Sequence, residues 1–552
     1  MAHAAGALDG ELVVAEPLPA RRYGPVRLRV VERLGSPEVP GAISLISIAS
    51  FEIPHVFPPA ALAEAAAAEP VDPGGRVDLR GLELVTIDGS DARDFDDAVW
   101  AEPDSDAANP GGWHLVVAIA DVAHYVTSGS ALDREARERG NSVYFPDRVV
   151  PMLPEALSNG LCSLKPGEER ACLAAELWID AEGRKRRHNF ARAIMRSAAR
   201  LTYEDVQAAR DGSTPLPLAK QRLDALYGAF TALDRARVSR GALALDLIEY
   251  RVVLDARGTP LAVTPRTRLD SHKLIEEFMI LANVAAAEEL EARRRPSLYR
   301  VHDAPDPERV DMLRQALADI GAPGLALAKG QVLRPQLFNQ ILTRVAGQPE
   351  AAVVNDLVLR AQAQAVYSPD NIGHFGLALR RYAHFTSPIR RYADLLVHRA
   401  LLGEQLALEE LDTIGKHVSA TERRAASAER AALERYRAQL LGNRIGEEFA
   451  GRINGVQRYG LFVTLAESGA DGLLPIAGLP PDFYRFDHRK MRLAGRHSRR
   501  NFGLGDAVSV RLDEADPVGG RLVFRLAETV ENRPRAAVRR PRRQGRQLGR
   551  RH

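Results

Sequence analysis

Apolar residues follow two different periods along this chain. Near 82–126 and 172–196 they stand at every second position or in short continuous runs, a pattern typical of strands. Later in the chain they recur every three or four residues, which predicts helices. The predicted helices cover 202–239, 270–294, 306–320, 334–345 and 388–403.

These patterns divide the chain into six segments and predict an α+β multidomain protein. Residues 1–22 are expected to be irregular, and 23–75 to hold a few strands between Val26 and Ile48, an Ala-rich helix and a linker. A large mixed α/β domain is expected over 76–404, and a helical connector over 405–444. An all-β domain over 445–530 and a disordered basic tail over 531–552 complete the predicted organisation.

The all-β segment is predicted to form a small barrel. It begins with a hairpin pattern, in which Gly451, Gly455 and Gly460 stand where turns or bulges are expected. Tyr459 and Phe462 lie in the same hairpin, and aromatic rings on such a barrel stack on bases for about 1–3 kcal/mol each. The alternative, that the rings only fill the barrel core, is stronger for Phe462 than for Tyr459.

Composition excludes several classes of protein. The chain is 45% hydrophobic and 27% charged, as soluble globular proteins are, and no run reaches the roughly 18 apolar residues of a membrane span. Its first residues lack the basic and then hydrophobic pattern of a secretory signal. Cys162 and Cys172 alone make neither a disulfide framework nor a zinc site, so we expect a cytoplasmic protein without a membrane partner.

The formal net charge of +3 conceals a strongly basic C-terminus. Residues 532–552 contain nine arginines and neither an acid nor a lysine, so the rest of the chain is mildly acidic. The few apolar residues of this tail predict disorder. Its arginines are candidate phosphate contacts whose contribution falls with salt, the alternative being a solvated tail without a ligand. They include Arg539, Arg540, Arg542 and Arg543.

Four aspartates, Asp88, Asp94, Asp96 and Asp97, lie within ten residues, directly after an alternating apolar run. Two carboxylates about 4 Å apart at an effective dielectric near 20 repel by roughly 4 kcal/mol, so a folded chain must protonate them or bind a cation. Hard oxygen ligands without a nearby cysteine favour Mg²⁺ or Mn²⁺ over zinc. The cluster therefore predicts a divalent metal site.

Two simpler interpretations of this cluster are an acidic surface turn and a structural calcium loop. The spacing of the acids does not follow the ligand pattern of a calcium hand, which also requires a glycine and a glutamate at fixed positions. Phe95 stands among the acids, and the aliphatic segment from Leu115 to Ala120 follows closely. A loop flanked by strands and close to buried structure is the better prediction.

A second polar segment lies around Ser387. Ser387 and Pro388 are predicted to be the N-cap and first residue of a helix, which places Arg390 and Arg391 in its first turn. Cations are unfavourable there by about 0.3–1 kcal/mol, so the pattern favours a bound anion such as phosphate. Asp394 and His398, one turn apart, are expected to hold the helix in place rather than to catalyse.

The helix beginning near His272 carries polar residues on an otherwise apolar surface. Glu276 and Asn283 lie two turns apart on one face, which predicts a polar cavity. The alternative is a solvated edge of an amphipathic helix, an interpretation that fits Glu277 better than Glu276. His374 is expected to be a hydrogen-bonded core histidine rather than a ligand.

The acidic segment, the Ser387–Arg391 segment and the C-terminal barrel, in this order, resemble the ribonuclease II and ribonuclease R family of exoribonucleases, with ribonuclease R as the more similar branch. The resemblance runs from about residue 24 to the end of the chain. It includes four further motifs: Asn141-Ser-Val-Tyr-Phe-Pro146, Pro151-Met-Leu-Pro154, Leu161-Cys-Ser-Leu164 and His272-Lys-Leu-Ile-Glu-Glu277.

This resemblance implies processive, metal-dependent hydrolysis of RNA from its 3′ end to nucleoside 5′-monophosphates, in RNA decay and processing. It implies a large mixed α/β RNB catalytic domain, then an S1-type barrel of the OB fold, and it identifies 23–75 as the remnant of a cold-shock-type barrel. Single-stranded RNA 3′ ends are the implied substrate, structured RNA and other RNA-decay proteins are candidate partners, and the chain is expected to be a monomer.

The resemblance also implies roles for single residues. The four aspartates fall on the catalytic, metal-binding acids of the family. Arg390 falls on the arginine that stabilises charge at the scissile phosphate, and Arg391 is a further candidate RNA contact. Tyr144 falls on the aromatic residue that stacks on the terminal base, and Glu276 on a carboxylate near the terminal ribose.

Two departures from the family pattern are expected to alter RNA handling. Family members usually begin with two cold-shock-type barrels, and this sequence resembles only the end of the second, which affects RNA gating. Leu245 stands where the enterobacterial enzymes carry a base-clamping phenylalanine. Processivity or the length of the final product is therefore expected to differ from that of those enzymes.

Two other functions compete with the exoribonuclease. A non-catalytic RNA-binding or translation-linked factor is the first, and it predicts loss of the acids, whereas all four and Arg390 are present. An endonuclease is the second, and it requires an open groove where the family has a closed channel as wide as a single strand.

Overall fold

The computed structural model describes residues 4–19, 26–37, 39, 41–320, 327, 330–488, 490–498 and 500–527. Its first part consists of an antiparallel pair of strands and two helices: β1 Leu12–Pro17, β2 Leu28–Gly35, α1 Ala42–Ser50 and α2 Pro59–Ala66. The prediction of an irregular segment over 1–22 is therefore wrong for β1. The prediction of strands between Val26 and Ile48 is wrong from Ala42 onward, because these residues form the helix α1.

Packing explains why the segment of α1 forms a helix although its sequence has a strand-like pattern. Its β-branched residues alternate with serines, which resembles a strand in sequence. Ile43 and Ile46 nevertheless share one helical face and are buried, and the hydroxyl of Ser47 donates to the carbonyl oxygen of Ile43 at 3.2 Å. Packing against a long helix near the C-terminus thus decides the local structure.

A seven-stranded sheet forms the centre of the next domain. The elements in this part of the chain are β3 Val77–Asp78, β4 Val85–Asp88, β5 Asp97–Pro103, β6 Trp113–Ala120, α3 Val122–Tyr125, α4 Ala131–Arg139, β7 Val143–Tyr144, β8 Val149–Val150, β9 Glu169–Ile179, β10 Lys185–Arg196 and β11 Ala199–Thr202. The strand order in the sheet is β11-β4-β5-β6-β9-β10-β3, and neighbours are antiparallel except for the pairs β3–β10 and β4–β11.

Both faces of this sheet are buried, which explains the continuous apolar run of β6. Leu115, Val117 and Ile119 pack on one face with residues of two later helices, whereas Val116 and Ala118 pack on the other. The elements that follow are α5 Tyr203–Arg210, α6 Lys220–Arg240, β12 Glu249–Leu254, β13 Pro260–Arg266, α7 Asp270–Ala292, β14 Tyr299–Val301, α8 Pro307–Ile320, α9 Pro335–Val345, α10 Ala351–Ala361, β15 Val366–Ser368, α11 Tyr392–Leu402 and α12 Leu408–Leu441.

Two helix predictions need correction. The segment 202–239 forms two helices rather than one, because Gly212, Pro215 and Pro217 interrupt the pattern between α5 and α6. The helix predicted from residue 388 begins only at Tyr392. Leu245, the residue at the expected clamp position, packs against the cluster of α8, α9 and α10.

The C-terminal part contains a closed barrel of β16, β17, β18, β23 and β22. A register shift between Ile453 and Gly455 marks the expected bulge in the first hairpin. A separate three-stranded sheet, β19 to β21, is inserted between the third and fourth barrel strands of the chain. The strands are β16 Glu448–Gln457, β17 Gly460–Leu465, β18 Asp471–Pro475, β19 Tyr484–Asp487, β20 Arg492–Gly495, β21 Asn501–Gly503, β22 Ala507–Asp516 and β23 Arg521–Leu526.

The order of a mixed α/β domain and then a barrel confirms the predicted fold class. The basic tail, with Arg539, Arg540, Arg542 and Arg543, lies outside the described residues. Within the part of the chain that the structure describes, no helix combines the length and the apolar character that a membrane crossing requires.

Candidate active site

The aspartate cluster lies at one edge of the seven-stranded sheet. Asp88 is the last residue of β4, and Asp97 is the first residue of β5. Because β4 and β5 are antiparallel neighbours, the end of one and the start of the other meet at the same edge. The loop between them carries Asp94 and Asp96, so all four carboxyl groups converge there.

Hydrogen bonds from two neighbouring segments fix this loop. Ser163 bridges it, because its hydroxyl accepts from the N–H of Phe95 at 3.1 Å and donates to the carbonyl oxygen of Arg93 at 2.8 Å. The N–H of Leu164 donates to the carbonyl of Phe95 at 3.0 Å, and that of Ala120 to the carbonyl of Asp96 at 2.9 Å. The buried ring of Phe95 anchors the loop further, as expected for a site close to the core.

The second polar segment docks directly on the cluster. The backbone N–H of Ile389 donates to Oδ1 of Asp96 at 2.9 Å. The Nε of Arg390 lies 3.4 Å from Oδ2 of Asp96, and its Nη2 donates to the hydroxyl of Ser387 at 2.9 Å. The Arg390 side chain stays 44% exposed, so its guanidinium is fixed at the cluster and still open to a ligand.

The geometry of this segment differs from the prediction. Residues 388–390 form a turn, Arg391 is the N-cap of α11, and Ser387 lies before the turn rather than at the cap. The guanidinium of Arg391 makes two hydrogen bonds of 2.8 Å to the fully buried carboxylate of Asp394. Asp394 also accepts from the N–H of Ser387 at 2.8 Å.

The predicted placement of Arg390 and Arg391 in the first turn of a helix is therefore wrong. Arg391 is committed to Asp394, whereas Arg390 lies against Asp96. Asp394 holds the segment in place, as expected, and so does His398, whose Nε2 lies 2.7 Å from the carbonyl oxygen of Phe385.

Burial and mutual repulsion shift the titration of the acids. Burial, together with the charges of Asp97 and Asp94, raises the pKa of Asp88 to about 8. Burial raises the pKa of Asp97 to about 6, although the charge of Arg390 opposes the shift. Burial also raises the pKa of Asp96 well above its usual range. Without a cation the cluster thus holds protons near neutral pH.

Tyr144 lies beside the acids. Its hydroxyl donates to Oδ2 of Asp94 at 3.2 Å, and its N–H donates to Oε1 of Glu429 on α12 at 2.8 Å. The residue is 39% exposed and lines a cavity of about 230 Å³ together with Arg390 and Glu429. The ring of Tyr144, the guanidinium of Arg390 and the carboxylate of Glu429 therefore face one space.

Comparison with known proteins identifies the family. The model of the RNB domain matches residues 76–404, and that of the S1 RNA-binding domain matches residues 443–526. Ribonuclease R of Escherichia coli (strain K12) is 41% identical over 558 residues, which cover 96% of this chain and 67% of that protein. Ribonuclease R of Aquifex aeolicus (strain VF5) is 39% identical, over 95% of this chain and 76% of its own length.

The chain belongs to the RNB family and is of its ribonuclease R type.

Solved structures agree with this assignment. RNase R of Mycoplasma genitalium in complex with ribose-methylated single-stranded RNA superposes with a TM-score of 0.85 at 30% identity, over 91% of this chain and 80% of that one. Its complex with double-stranded RNA gives 0.83 at 26% identity, over 95% and 89%. Yeast Ssd1, a pseudonuclease, gives 0.69 at 19% identity, over 88% and 62%, and shows only the shared fold.

Members of the RNB family of this type are 3′-to-5′ exoribonucleases of RNA degradation, and so is this chain. Exoribonucleases of the family depend on a metal. The acids of this RNB domain fit a divalent ion in two respects: Oδ2 of Asp88 and Oδ2 of Asp96 are buried without a hydrogen-bond partner, and all donors are hard oxygens. Among the described residues no three His, Cys, Asp or Glu side chains are grouped closely enough to hold a metal ion by themselves. Mg²⁺ is usually bound by one or two carboxylates together with waters and substrate phosphates, so it does not require such a group.

The structure does not join Glu276 directly to the four acids. Glu276 pairs with Arg268 and, at 3.0 Å, with Arg237. Glu277 is only 3% exposed and pairs with Arg237 at 2.6 Å and Arg240 at 3.4 Å, so the interpretation of Glu277 as the more solvated residue is wrong. The helical period alone did not show which of Glu276 and Glu277 is buried.

Asn283 fills a polar site in the interior, as its position on α7 suggested. Its side chain donates to the hydroxyl of Tyr382 at 3.1 Å and accepts from the N–H of Phe385 at 2.7 Å. His374 is partly buried, and its Nδ1 accepts from the N–H of Leu377 at 3.2 Å, which agrees with a hydrogen-bonded core histidine.

Sequence reasoning missed three residues at the site. Arg200, on β11, donates to the carbonyl oxygen of Gly89 at 2.6 Å. Tyr203 stacks on His272 with ring centroids 4.1 Å apart, and burial raises its pKa with the nearby charges of Asp97 and Asp88 adding to the shift. Glu429 contacts Tyr144. No local motif signals them, because each reaches the site through long-range pairing.

The S1 region exposes the two predicted aromatic residues to different extents. Tyr459 is 57% exposed, whereas Phe462 is half-buried. Their ring centroids lie 6.2 Å apart in an edge-to-face arrangement. Tyr459 is therefore free to stack on a base, and the edge of Phe462 supports it.

Proposed function

We propose that this exoribonuclease degrades RNA processively from single-stranded 3′ ends and releases nucleoside 5′-monophosphates. The observation that carries the proposal is the contact of Asp96 with Ile389 and Arg390, which brings the acids and a partly exposed guanidinium into one site. A negative cluster beside a fixed cation fits a phosphodiester in line with its attacking water.

The acids would hold Mg²⁺, with Mn²⁺ as a substitute. Asp88 and Asp96 offer unpartnered oxygens, and Asp94 and Asp97 complete the negative field. When bound, the ion would activate water and stabilise the departing 3′ oxygen. The raised pKa of Asp88, about 8, fits a group that needs a cation to remain ionised at neutral pH.

The remaining residues would orient the RNA. Arg390 would donate to the scissile phosphate, whose charge grows in the transition state. Tyr144 would stack on the terminal base, since its ring is partly exposed beside Asp94. Glu276 would face the terminal ribose after releasing one of its arginine partners, and contacts to 2′-hydroxyls would favour RNA over DNA. Arg391 would act through Asp394 as a positioning residue.

The barrel and the tail would supply affinity rather than chemistry. Tyr459 and Phe462 would stack on upstream bases. The tail arginines Arg539, Arg540, Arg542 and Arg543 would contact phosphates regardless of sequence. We further propose that the enzyme acts as a monomer in the cytoplasm, where other RNA-decay proteins are its candidate partners.

A non-catalytic RNA-binding protein is the second function to consider. The fold alone does not exclude it, since yeast Ssd1, a pseudonuclease, shares the fold. The intact set of Asp88, Asp94, Asp96, Asp97 and Arg390, and their convergence at one sheet edge, support catalysis instead.

Degradation of RNA labelled at its 3′ end separates the possibilities. Immediate release of labelled mononucleotide that requires Mg²⁺ is the expected result. Internal fragments would indicate an endonuclease, and an intact but protein-bound label would indicate a binding protein. A DNA oligonucleotide of the same sequence is the control, and its equal degradation would contradict the proposed ribose contacts.

A further inference from the structure

The three-stranded sheet inserted in the S1 barrel carries unusual surface chemistry. It consists of β19, β20 and β21, which pair antiparallel in this order and lie outside the barrel. Its inner face packs into the barrel core through Tyr484, Phe486, Leu493 and Phe502. The sheet is therefore a rigid extension of the barrel rather than a loose loop.

The register of the strands defines the outer face. Arg485 pairs with Ala494, and the N–H of Arg496 donates to the carbonyl oxygen of Phe483 at 3.0 Å, so these four residues lie on the side opposite the core. Phe483 is 65% exposed, and both arginines are exposed. Phe483 thus has Arg485 two residues along its own strand and Arg496 directly across, close enough for the side chains to act on one ligand.

The acids of the insertion do not neutralise these arginines. The carboxylate of Asp482 is 1% exposed and accepts from the backbone N–H groups of His497 and Ser498. Asp487 accepts from the N–H of Lys490 at 3.1 Å. Within the described residues neither Arg485 nor Arg496 takes part in a side-chain hydrogen bond or an ion pair. Both positive charges therefore remain open to an external anion.

Single exposed apolar residues and solvated arginines are common on protein surfaces. The combination here is more specific, because an exposed ring and two guanidinium groups without a side-chain partner in the described part of the chain share one face of the sheet. A protein partner would require a larger apolar patch, and Phe483 is the one large exposed hydrophobic residue among the described residues of the insertion. A flat π-face flanked by cations matches a nucleotide, with the base on the ring and phosphates on the arginines.

We propose that Phe483, Arg485 and Arg496 form a second RNA-binding surface of the S1 region, separate from Tyr459 and Phe462 on the barrel. One base of an incoming single strand stacks on Phe483, and the flanking phosphates bind the two arginines. The surface rests on the proposed function, because it takes the same RNA upstream of the active site. It adds affinity only for RNA long enough to extend beyond the catalytic domain.

The test uses the full-length chain with Asp96→Asn, so that bound RNA is not consumed. Binding of a long single strand and of an oligonucleotide of about four nucleotides, near the smallest site of an OB fold, is measured over a range of salt concentrations. Phe483→Ala should weaken binding of the long strand about ten-fold. Arg485→Gln with Arg496→Gln should reduce the salt slope for the long strand by about 1.4, since each neutralised phosphate of a single strand contributes about 0.7.

A matched pair controls for charge. Arg511 and Arg525 lie on barrel strands, and each already pairs with an acid, Glu448 at 3.3 Å and Asp513 at 2.7 Å. Neutralising both to Gln removes the same charge and should leave the slope nearly unchanged. An equal fall in salt slope for the two double arginine variants would overturn the proposal. Unchanged affinity of Phe483→Ala for the long strand would also overturn it. Hydrolysis by the chain with Asp96 intact is assayed separately, so its absence would refute the enzymatic function without affecting the binding result.

Discussion

The backbone N–H of Ile389 donates a hydrogen bond to Oδ1 of Asp96 at 2.9 Å, across 293 positions of sequence. This contact fixes the distance between the acidic loop and the segment that carries Arg390. It also leaves Oδ2 of Asp96 without a hydrogen-bond partner and 3.4 Å from Nε of Arg390. One carboxylate therefore serves two purposes: one oxygen holds the fold together, and the other remains available for chemistry.

Replacing Asp96 separates these purposes. In Asp96→Asn the amide oxygen can still accept from Ile389, so the segment should stay docked, but the charge that attracts a cation is lost. We expect turnover to fall by about a thousand-fold or more, equivalent to several kcal/mol of transition-state stabilisation. RNA affinity should stay within about two-fold, because most binding energy comes from phosphate contacts elsewhere. Mononucleotide release and fluorescence anisotropy measure the two quantities, and unaltered turnover would refute the assigned role.

The raised pKa values predict how Mg²⁺ and pH act together. A carboxyl whose pKa is raised by folding contributes stability below its unfolded pKa of about 3.9, and this contribution is lost as pH rises through the folded pKa. For Asp97 and Asp88 the loss begins above about pH 3.9 and is complete just above about pH 6 and about pH 8, respectively. Bound Mg²⁺ compensates the charge that appears, so the Mg²⁺-induced rise in thermal midpoint should be larger at about pH 8 than at about pH 6.

Asp88→Asn is the control for this experiment. It removes one repelling charge and one ligand oxygen, so the effect of Mg²⁺ should become smaller and depend less on pH. Calorimetry should show proton release when Mg²⁺ binds to the unmodified chain near neutral pH. A shift in midpoint that is equal at both pH values would contradict a cluster that is protonated in the absence of metal.

The ion pair of Arg391 and Asp394 is predicted to contribute mainly to the free energy of unfolding. Asp394 is fully buried, and Asp394→Asn leaves the Arg391 guanidinium without its counter-charge, which costs about 3–5 kcal/mol for a buried pair. Asp270 and Lys273 have the same spacing at 2.9 Å but are exposed, so Asp270→Asn should change stability by less than about 1 kcal/mol. Thermal midpoints compare the two variants, and equal small shifts would contradict the structural role.

The basic tail is predicted to control the salt dependence of RNA binding. Deleting residues 532–552 removes nine arginines, and the slope of affinity against salt should fall by about 0.7 for each phosphate that the tail neutralises in the full chain. Turnover at saturating RNA should change little, because the acids and Arg390 remain. A deletion variant whose slope equals that of the full chain would show that the tail does not bind phosphates.

Local sequence patterns predicted the parts of this protein that depend on near neighbours. The acidic loop, the strand β6 and most helices follow from period and composition, and the family motifs pointed to the residues of the site. The start of α11 was misplaced because Ser387 and Pro388 have the sequence of a helix cap, while the buried pair of Arg391 and Asp394 moves the start to Tyr392. The helix α1 was missed because its alternation resembles a strand.

Contacts between distant segments were beyond the reach of these patterns. The residues around Asp96 in the sequence do not indicate its contact with Ile389, and those around Tyr144 do not indicate its contact with Glu429. Each contact joins distant segments and forms only when the domain folds. Glu277 shows the same limit, because its burial depends on Arg237 and Arg240 from another helix. Short-range signals thus located the candidate site, and tertiary packing determined which of its polar atoms have hydrogen-bond partners.

The hydroxyl of Ser163 hydrogen-bonds on both sides of Asp94, to the carbonyl oxygen of Arg93 and from the N–H of Phe95. Natural or laboratory evolution of this enzyme should consequently tolerate threonine at position 163 and reject alanine or valine, although the residue never needs to meet RNA. A library built around the proposed substrate site alone would overlook this position, which restricts the movement of the neighbouring acidic loop.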